Sequence, residues 1–150
     1  MKLSILQYPN EHLDKPTIAV EKVTPELIQT AKDIYETMRA SGGIGLAANQ
    51  VGLDMSLIVI QDNGGMLAIF NPVIIHRSKE QEYSSEGCLS FNNVWRIIKR
   101  PLEVTIKYRD INNKRQYQVF KGIQARCIIH EVDHLLGRTF LKYDEKKLDN

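Results

Sequence analysis

This sequence has few cysteines, no long hydrophobic run and no large excess of charge of one sign. Its 150 residues contain two cysteines, and 20 Lys and Arg against 18 Asp and Glu leave a formal net charge of +2 at pH 7. The two cysteines and the absence of a signal-like start favour a reducing cytoplasm. No run is long enough to span a bilayer, and the mixed charges give no electrostatic basis for a nucleic-acid substrate.

The length fits one domain, residues 1–150, with a core large enough to fold without disulfides. There is no internal repeat, low-complexity tract or linker. Thr24 and Pro25 are a good N-cap and first helical residue, so we predict a helix that ends near 41–43. A second helix is predicted at about 122–136. Its buried stripe consists of Ala125, Ile128, Ile129, Val132, Leu135 and Leu136.

Short strand-like runs lie between and beside these helices. The alternating segments 102–108 and 115–120 flank a turn at 110–114 and predict a hairpin. Four further runs are predicted as strands: 56–60, 67–70, 73–75 and 94–98. The pattern indicates an α+β domain in which the second helix packs on an antiparallel sheet.

The segment His130-Glu131-Val132-Asp133-His134 carries the strongest chemical signal. Residues at i and i+4 share a helix face, so both imidazoles can bind one metal ion. Glu131 points about 100° away from His130. It is therefore poorly placed as a ligand but well placed to take a proton from a metal-bound water. The alternative is a helix that carries two surface histidines and no site.

Two histidines need a third protein ligand, and its source separates the enzyme classes. One large group of proteases has its third histidine three residues after a glycine equivalent to Gly137, but Phe140 stands at that position here. Another group uses a downstream Glu. Asp144 and Glu145 are poor candidates because they lie in a highly charged tail.

The two cysteines are the remaining donors. Cys127 lies on the same helix as the histidines, and three ligands along one helix would span about 10 Å, too far to close around one ion. Cys88, in Glu86-Gly87-Cys88-Leu89-Ser90, can approach from across the site, as tetrahedral geometry requires. We therefore favour Cys88 as the ligand. Cys127 stays the alternative and is otherwise interpreted as a small residue in the wall of the site.

A third segment, from Gly42 to Gln50, joins glycines to small residues. Alone it indicates only the end of a helix and a turn. Together with the segments 86–90 and 130–134, in this order and at this spacing, it closely resembles the three motifs of the peptide deformylase family. The resemblance extends from 5–9 to 136–137. It implies antiparallel sheets packed around a central metal-binding helix in a single domain.

The resemblance implies a metal-dependent hydrolase that removes the formyl group from the N-terminal formylmethionine of new polypeptides and releases formate. Cys88, His130 and His134 would bind the metal, and a fourth position would stay open for water. Glu131 would act as general base. By family analogy, the side-chain amide of Gln50 and the backbone N–H of Leu89 would stabilise the oxyanion.

The resemblance also implies a peptide-binding groove. Gly43 and Gly45 lack Cβ, so a substrate backbone could approach closely and bind as an added strand. The methionine side chain would occupy an apolar slot, and Asp133 would support a histidine or the helix. The slot would be lined by Ile44, the stem of Glu86, Ile123, Cys127 and the ring of His130.

A thiolate with two imidazoles suits several divalent metals. The resemblance implies one Fe²⁺ ion as the native cofactor. Iron binds weakly in the Irving–Williams series, so purified protein could carry Zn²⁺, Ni²⁺ or Co²⁺ instead. We expect oxygen to inactivate the iron form through metal oxidation and attack on Cys88.

The sequence departs from the family pattern at several positions. Asn92 and Asn93 stand where the family usually has Pro and often Gly, Trp95 stands near a common Arg or Tyr, and Ile129 replaces a common Gln. The chain ends sixteen residues after His134. Many bacterial relatives continue into a long helix that docks on the ribosome. We therefore expect formylmethionyl nascent peptides and the ribosome as partners, without that helix and with no membrane involved.

Overall fold

The computed structural model describes residues 1–143, so Asp144 and Glu145 and the end of the expected domain lie outside the described residues. These 143 residues form two α-helices and seven strands. In order they are α1 (Pro25–Ala40), β1 (Gly45–Ala47), β2 (Leu57–Asp62), β3 (Gly65–Arg77), β4 (Gln81–Cys88), β5 (Phe91–Pro101), β6 (Glu103–Arg109), β7 (Arg115–Lys121) and α2 (Ile123–Leu135). Short 3₁₀ helices occur at Glu11–Asp14, Ala48–Val51 and Phe140–Lys142.

Helix α1 begins and ends as predicted. The Thr24 side chain accepts a hydrogen bond from the backbone N–H of Leu27 at 3.3 Å, and Pro25 occupies the first turn. Ser41 caps the C-terminal end, and Gly42 follows with a φ of +73°. This sharp stop turns the chain directly into β1, so the end of α1 positions the glycine-rich segment.

Helix α2 is enclosed by the rest of the protein. Every residue from Ala125 to Leu135 is buried, so the predicted single buried stripe underestimates its burial. The helix contacts β1 and β2 on one side and β5, β6 and β7 on others. Leu136 was placed in the stripe wrongly. It is 53% exposed because the helix has ended there and Gly137, with a φ of +76°, turns the chain away.

The strands form two antiparallel sheets. One has five strands in the order β1-β2-β3-β6-β7, and the other consists of β4 and β5. The predicted β6–β7 hairpin is confirmed, with the Asp110 N–H bonded to the Lys114 carbonyl at 2.9 Å. The predicted strands 67–70 and 73–75 are one continuous strand, β3, whose register shifts between Phe70 and Val73.

Strands β1 and β4 were not predicted. β1 has only three residues, and β4 is almost entirely exposed and polar, so neither shows the apolar alternation that marks a half-buried strand. Both are edge strands of their sheets. β1 packs against α2, and two side chains of β4, Glu86 and Cys88, contact Arg126 and His134 of that helix. Within residues 1–143, neither α-helix has the length and hydrophobicity needed to cross a membrane.

Candidate active site

Three side chains from two elements converge on one point. The ligand atoms of Cys88, His130 and His134 all lie within 4.8 Å of one another, and Cys88 Sγ is 3.3 Å from His134 Nε2. Cys88 ends β4, whereas both histidines project from α2, one turn apart. Both histidines are buried, and Cys88 is partly exposed. The set predicted from the sequence is therefore assembled, and it fits a single metal ion.

The electrostatics of this group also favour a cation. Burial works against a positive charge on His130, yet its hydrogen bonds to Cys88 and Glu86 raise its pKa to about 10. Burial and the neighbouring charges of His130 and Arg100 hold the pKa of His134 well below its usual value. An imidazole binds a metal only when it is neutral, so a cation would have to displace the proton from His130, whereas the lowered pKa keeps His134 neutral at pH 7.

Glu131 is a buried carboxylate beside this group. It is 5% exposed, and its Oε1 finds no hydrogen-bond partner within residues 1–143. Burial raises its pKa to about 7, against the lowering effect of His130. A carboxylate that is neither bonded nor fully ionised near neutral pH is suited to exchanging protons.

The glycines of the first motif make room for the protein's own side chains. A Cβ on Gly45 would lie 2.5 Å from Cys127 Sγ and 2.9 Å from Glu131 Oε2. A Cβ on Gly43 would lie 2.6 Å from Leu89 Cδ1. A side chain at either position would therefore collide with the site itself, which is a reason for glycine beside the expected one. Close approach of a substrate backbone to these glycines stays a prediction.

Gln50 lies in the 3₁₀ helix Ala48–Val51 and is 1% exposed, so it is a buried polar residue that needs hydrogen-bond partners. Its Oε1 accepts the backbone N–H of Ala47 at 2.9 Å. Its Nε2 donates to Ser90 Oγ at 3.1 Å and lies 3.6 Å from Cys88 Sγ. The amide donor is therefore fixed beside the candidate metal group. The partnership with Ser90 was not predicted.

Glu86 is more than an apolar stem in the pocket wall. Its Oε1 lies 2.9 Å from His130 Nδ1, and its carboxylate accepts hydrogen bonds from Arg100 at 2.7 and 2.9 Å. Arg126 Nη1 adds another at 2.7 Å. Burial opposes ionisation of Glu86, but the bonds from Arg100 and His130 outweigh it and lower the pKa to about 2. A permanently charged carboxylate thus holds one of the candidate ligands.

Within residues 1–143, the Asp133 side chain bonds to neither histidine. Its Oδ2 accepts hydrogen bonds from Arg100 Nη1 at 3.1 Å and from the Tyr143 hydroxyl at 2.5 Å. Arg100, Arg126 and Tyr143 were all missed at the sequence level. The available signal was weak: Arg100 occupies an inward-facing position of β5, where a charge demands partners.

An open pocket of about 500 Å³ leads to this group. All six predicted substrate-binding residues line it: Gly43, Ile44, Gly45, Glu86, Ile123 and Cys127. Gln50, Leu89 and Glu131 line it as well, whereas His134 is completely buried behind it. Trp95 stands on the rim, 69% exposed, with its ring against Gly87, where a Cβ would lie 2.8 Å from the indole.

Comparisons with known proteins agree on one family. The sequence profile of the family described as polypeptide deformylase matches residues 2–148. A peptide deformylase of Borreliella burgdorferi is 40% identical over 150 residues, covering 99% of this chain and 91% of that protein.

Solved structures give the same result. A peptide deformylase from Ehrlichia chaffeensis superposes with a TM-score of 0.92 at 36% identity, covering 97% of this chain and 89% of that one. A class I type b peptide deformylase from Acinetobacter baumannii, bound to Met-Ala-Ser, superposes with a TM-score of 0.90 at 28% identity over 96% of this chain and 99% of that one. With the fold, the three motifs and these relatives in agreement, this chain belongs to the polypeptide deformylase family of enzymes.

Proposed function

We propose that this chain is a metal-dependent hydrolase that removes the formyl group from the N-terminal formylmethionine of newly synthesised polypeptides. One observation carries the proposal: the three ligand atoms of Cys88, His130 and His134 meet within 4.8 Å at the base of an open pocket. The unpartnered Oε1 of Glu131 belongs to a carboxylate that lines the same pocket. A cation site, a proton acceptor and access for a substrate therefore coincide.

Cys88, His130 and His134 would hold the cation. Bound there, a divalent metal would act as a Lewis acid and lower the pKa of water. We propose Fe²⁺ as the native ion, with Zn²⁺, Ni²⁺ or Co²⁺ as substitutes. The thiolate donor makes the iron form vulnerable to oxidation. Full activity after days of aerobic storage with iron bound would contradict this expected sensitivity to oxygen.

Glu131 moves the proton in the proposed reaction. Its carboxylate accepts a proton from the attacking water and later delivers it to the leaving amine. Gln50 Nε2 and the backbone N–H of Leu89 donate to the formyl oxygen while negative charge develops there. One such donor typically lowers a barrier by about 3–4 kcal/mol. The fixed contacts of Gln50 with Ala47 and Ser90 support this role, because a donor held in advance needs no reorganisation.

The peptide would bind between the two sheets. Among the described residues, β1 and β4 each have an unpaired strand edge beside the pocket. An extended peptide could therefore form main-chain hydrogen bonds there, and the side chains after its first residue would contribute little to binding. Ile44, Ile123 and Cys127 would receive the methionine side chain. The Met-Ala-Ser bound to the Acinetobacter baumannii enzyme supports a peptide with an N-terminal methionine as the ligand class.

Formate release tests the proposal directly. The protein is loaded anaerobically with Fe²⁺ and given a formylated and an unformylated methionyl tripeptide. We expect formate from the formylated peptide and no cleavage of the other. Glu131→Ala should abolish turnover. The control Glu21→Ala changes an exposed glutamate outside the three motifs and should leave turnover unchanged. Equal turnover by wild type and Glu131→Ala would contradict the mechanism.

The same assay separates rival functions. Cleavage of an internal bond in the unformylated peptide would indicate a protease, and peptide binding without any hydrolysis would indicate an inactive binding module. An intense blue colour with copper would indicate an electron-transfer site, since one Cys and two His are also its ligands.

We further propose that the protein acts in the cytoplasm on nascent chains at the ribosome. The motivation is the substrate, because formylmethionine is present at the start of new polypeptides only until it is processed. Cosedimentation with ribosomes that carry nascent chains tests this partnership. Recovery of all the protein in the supernatant at low salt would argue against it.

A further inference from the structure

Tyr143, the last described residue, reaches back into the buried polar network behind the candidate metal group. Its hydroxyl donates to Asp133 Oδ2 at 2.5 Å. Its ring faces the guanidinium of Arg100, with Cζ 4.4 Å from the ring centroid. Asp133 and Arg100 are 4% and 1% exposed. One side chain from the segment after α2 therefore contacts two buried charges at once.

From Arg100 the contacts continue to a candidate ligand. Arg100 donates through Nη1 to Asp133 at 3.1 Å, and through Nε and Nη2 to Glu86 at 2.7 and 2.9 Å. Glu86 Oε1 in turn lies 2.9 Å from His130 Nδ1. This unbroken series of hydrogen bonds joins the Tyr143 hydroxyl to the imidazole, and each partner is held by more than one contact.

The segment 140–143 also packs on His130, from another side. Phe140 is 1% exposed, and its ring lies edge-on to His130 with centroids 5.8 Å apart. It also contacts Phe91 at 5.0 Å. Tyr143 and Phe140 belong to one apolar cluster with Cys88 at its border. The segment 140–143 thus covers His130, while Tyr143 contacts the charged side chains of Asp133 and Arg100 in the network that orients His130.

Arg100 needs a partner of this kind. Its guanidinium is buried between two carboxylates, and Arg126 already supplies Glu86 with a separate donor at 2.7 Å. Without Tyr143, Asp133 would lose one of its two side-chain donors among the described residues, and the guanidinium of Arg100 would lose the aromatic ring that covers it. A buried charged group that loses a hydrogen-bond partner shifts its position or admits water.

We propose that Tyr143 is a positioning residue for the metal site: through Asp133, Arg100 and Glu86 it fixes the imidazole of His130 so that Nδ1 bonds to Glu86 and Nε2 is presented to the cation. The inference rests on the proposed function of Cys88, His130 and His134 as ligands. Groups that orient a ligating histidine typically change metal affinity by about 10–100-fold when removed. The Tyr143 hydroxyl acts through three intervening residues, so a smaller effect on metal affinity follows for its loss alone.

The test measures metal retention rather than turnover alone. Wild type, Tyr143→Phe, Tyr143→Leu and the control Tyr117→Phe, which alters a 61% exposed tyrosine of β7, are loaded with Co²⁺. The rate of metal transfer to a coloured chelator and the visible spectrum are recorded, and unfolding of each metal-free protein is measured in urea.

We expect about 3–10-fold faster metal loss from Tyr143→Phe, and about 10–100-fold faster loss from Tyr143→Leu, with a shifted Co²⁺ spectrum. The control should behave as wild type. A double-mutant cycle with Asp133→Asn should show that the two losses are less than additive, because both act through one series of contacts.

Wild-type rates and spectra in both Tyr143 variants would overturn the inference. A general structural role would lower the unfolding free energy of the metal-free protein by as much as the free energy of metal binding. A fall of that size would also overturn the inference. If Tyr143→Leu does not fold, Tyr143→Phe alone decides. Failure of the proposed function is a different result, in which the wild type itself binds no metal or releases no formate.

Discussion

Glu131 packs directly against the backbone of Gly45. A Cβ on Gly45 would lie 2.9 Å from Oε2 and 3.2 Å from Cγ of Glu131. Gly45 cannot retreat easily, because its strand is paired in fixed register with β2, where Gly45 faces Ile60. The glycine of the first motif and the carboxylate of the last one therefore depend on each other although they lie far apart in sequence.

Gly45→Ala should uncouple the carboxylate from the metal group. The new methyl group must displace Glu131 or Cys127, and a shift of about 1 Å in a catalytic group costs about 10²-fold in turnover. We expect formate release to fall by about that factor while one metal ion is retained. Gly65→Ala is the control, because its Cβ would meet only the Asp62 carbonyl oxygen at 3.9 Å. Wild-type turnover in Gly45→Ala would show that Glu131 can shift without loss of function, which would contradict this account.

Gln50→Ala should reduce turnover and stability together. It removes the proposed oxyanion donor, which is typically worth about 10²–10³ in kcat. It also leaves the buried Ala47 N–H without its acceptor, at a cost of about 1–3 kcal/mol in unfolding free energy. Ser90→Ala is the matched variant, since it removes only the partner of the amide and leaves the donor in place. Assays of kcat and urea unfolding decide: an equal loss of kcat in both variants would count against Gln50 as the donor.

The start of β5 depends on the backbone tolerance of Asn93, which lies where the register between β4 and β5 shifts. Its φ is +60°, a conformation that costs most residues about 1–2 kcal/mol and Gly and Asn much less. Asn93→Val should therefore lower the unfolding free energy by about that amount, and Asn93→Gly should not lower it. Asn92→Val, at the exposed neighbouring position outside the left-handed region, is the control. Equal stability of Asn93→Val and Asn92→Val in urea would contradict this account.

Asp110 gives the β6–β7 hairpin a pH-dependent stability. Slight burial raises its pKa, but the N–H groups of Lys114 and Asn112 and the Gln116 amide outweigh that effect and lower it. Since the folded-state value lies below the unfolded one, the stabilisation is present above the unfolded pKa and is lost as the pH falls through the folded one. The difference in unfolding free energy between wild type and Asp110→Ala should therefore be larger at pH 7 than at pH 3. A constant difference in urea titrations would refute this.

The metal group was predictable from the sequence because local geometry determines most of it. Helical periodicity places His130 and His134 on one face, and the need for a donor from another direction selects Cys88. Glu86 was recognised as a pocket residue but not as the partner of His130, because that bond depends on how β4 meets α2. Strand β4 itself was missed, since its residues carry no apolar alternation.

The contacts of Arg100 could not be predicted because its partners are distant in the sequence. Arg100 joins Glu86 and Asp133, 14 and 33 residues away in sequence, and only the packed structure brings them together. The departure at Asn93 is now explained, because Asn tolerates the left-handed backbone that a glycine would adopt there. Leu136 was misassigned because helical spacing alone does not show where the last turn ends.

We propose that Cys88, His130 and His134 hold one metal ion and that Cys127 does not bind it. The most direct measurement is Co²⁺ loading under anaerobic conditions, with metal stoichiometry and the sulfur-to-cobalt charge-transfer band recorded for wild type, Cys88→Ser and Cys127→Ala. We predict one ion and the band in wild type and Cys127→Ala, and loss of the band in Cys88→Ser. A band that survives in Cys88→Ser or disappears in Cys127→Ala would contradict the account.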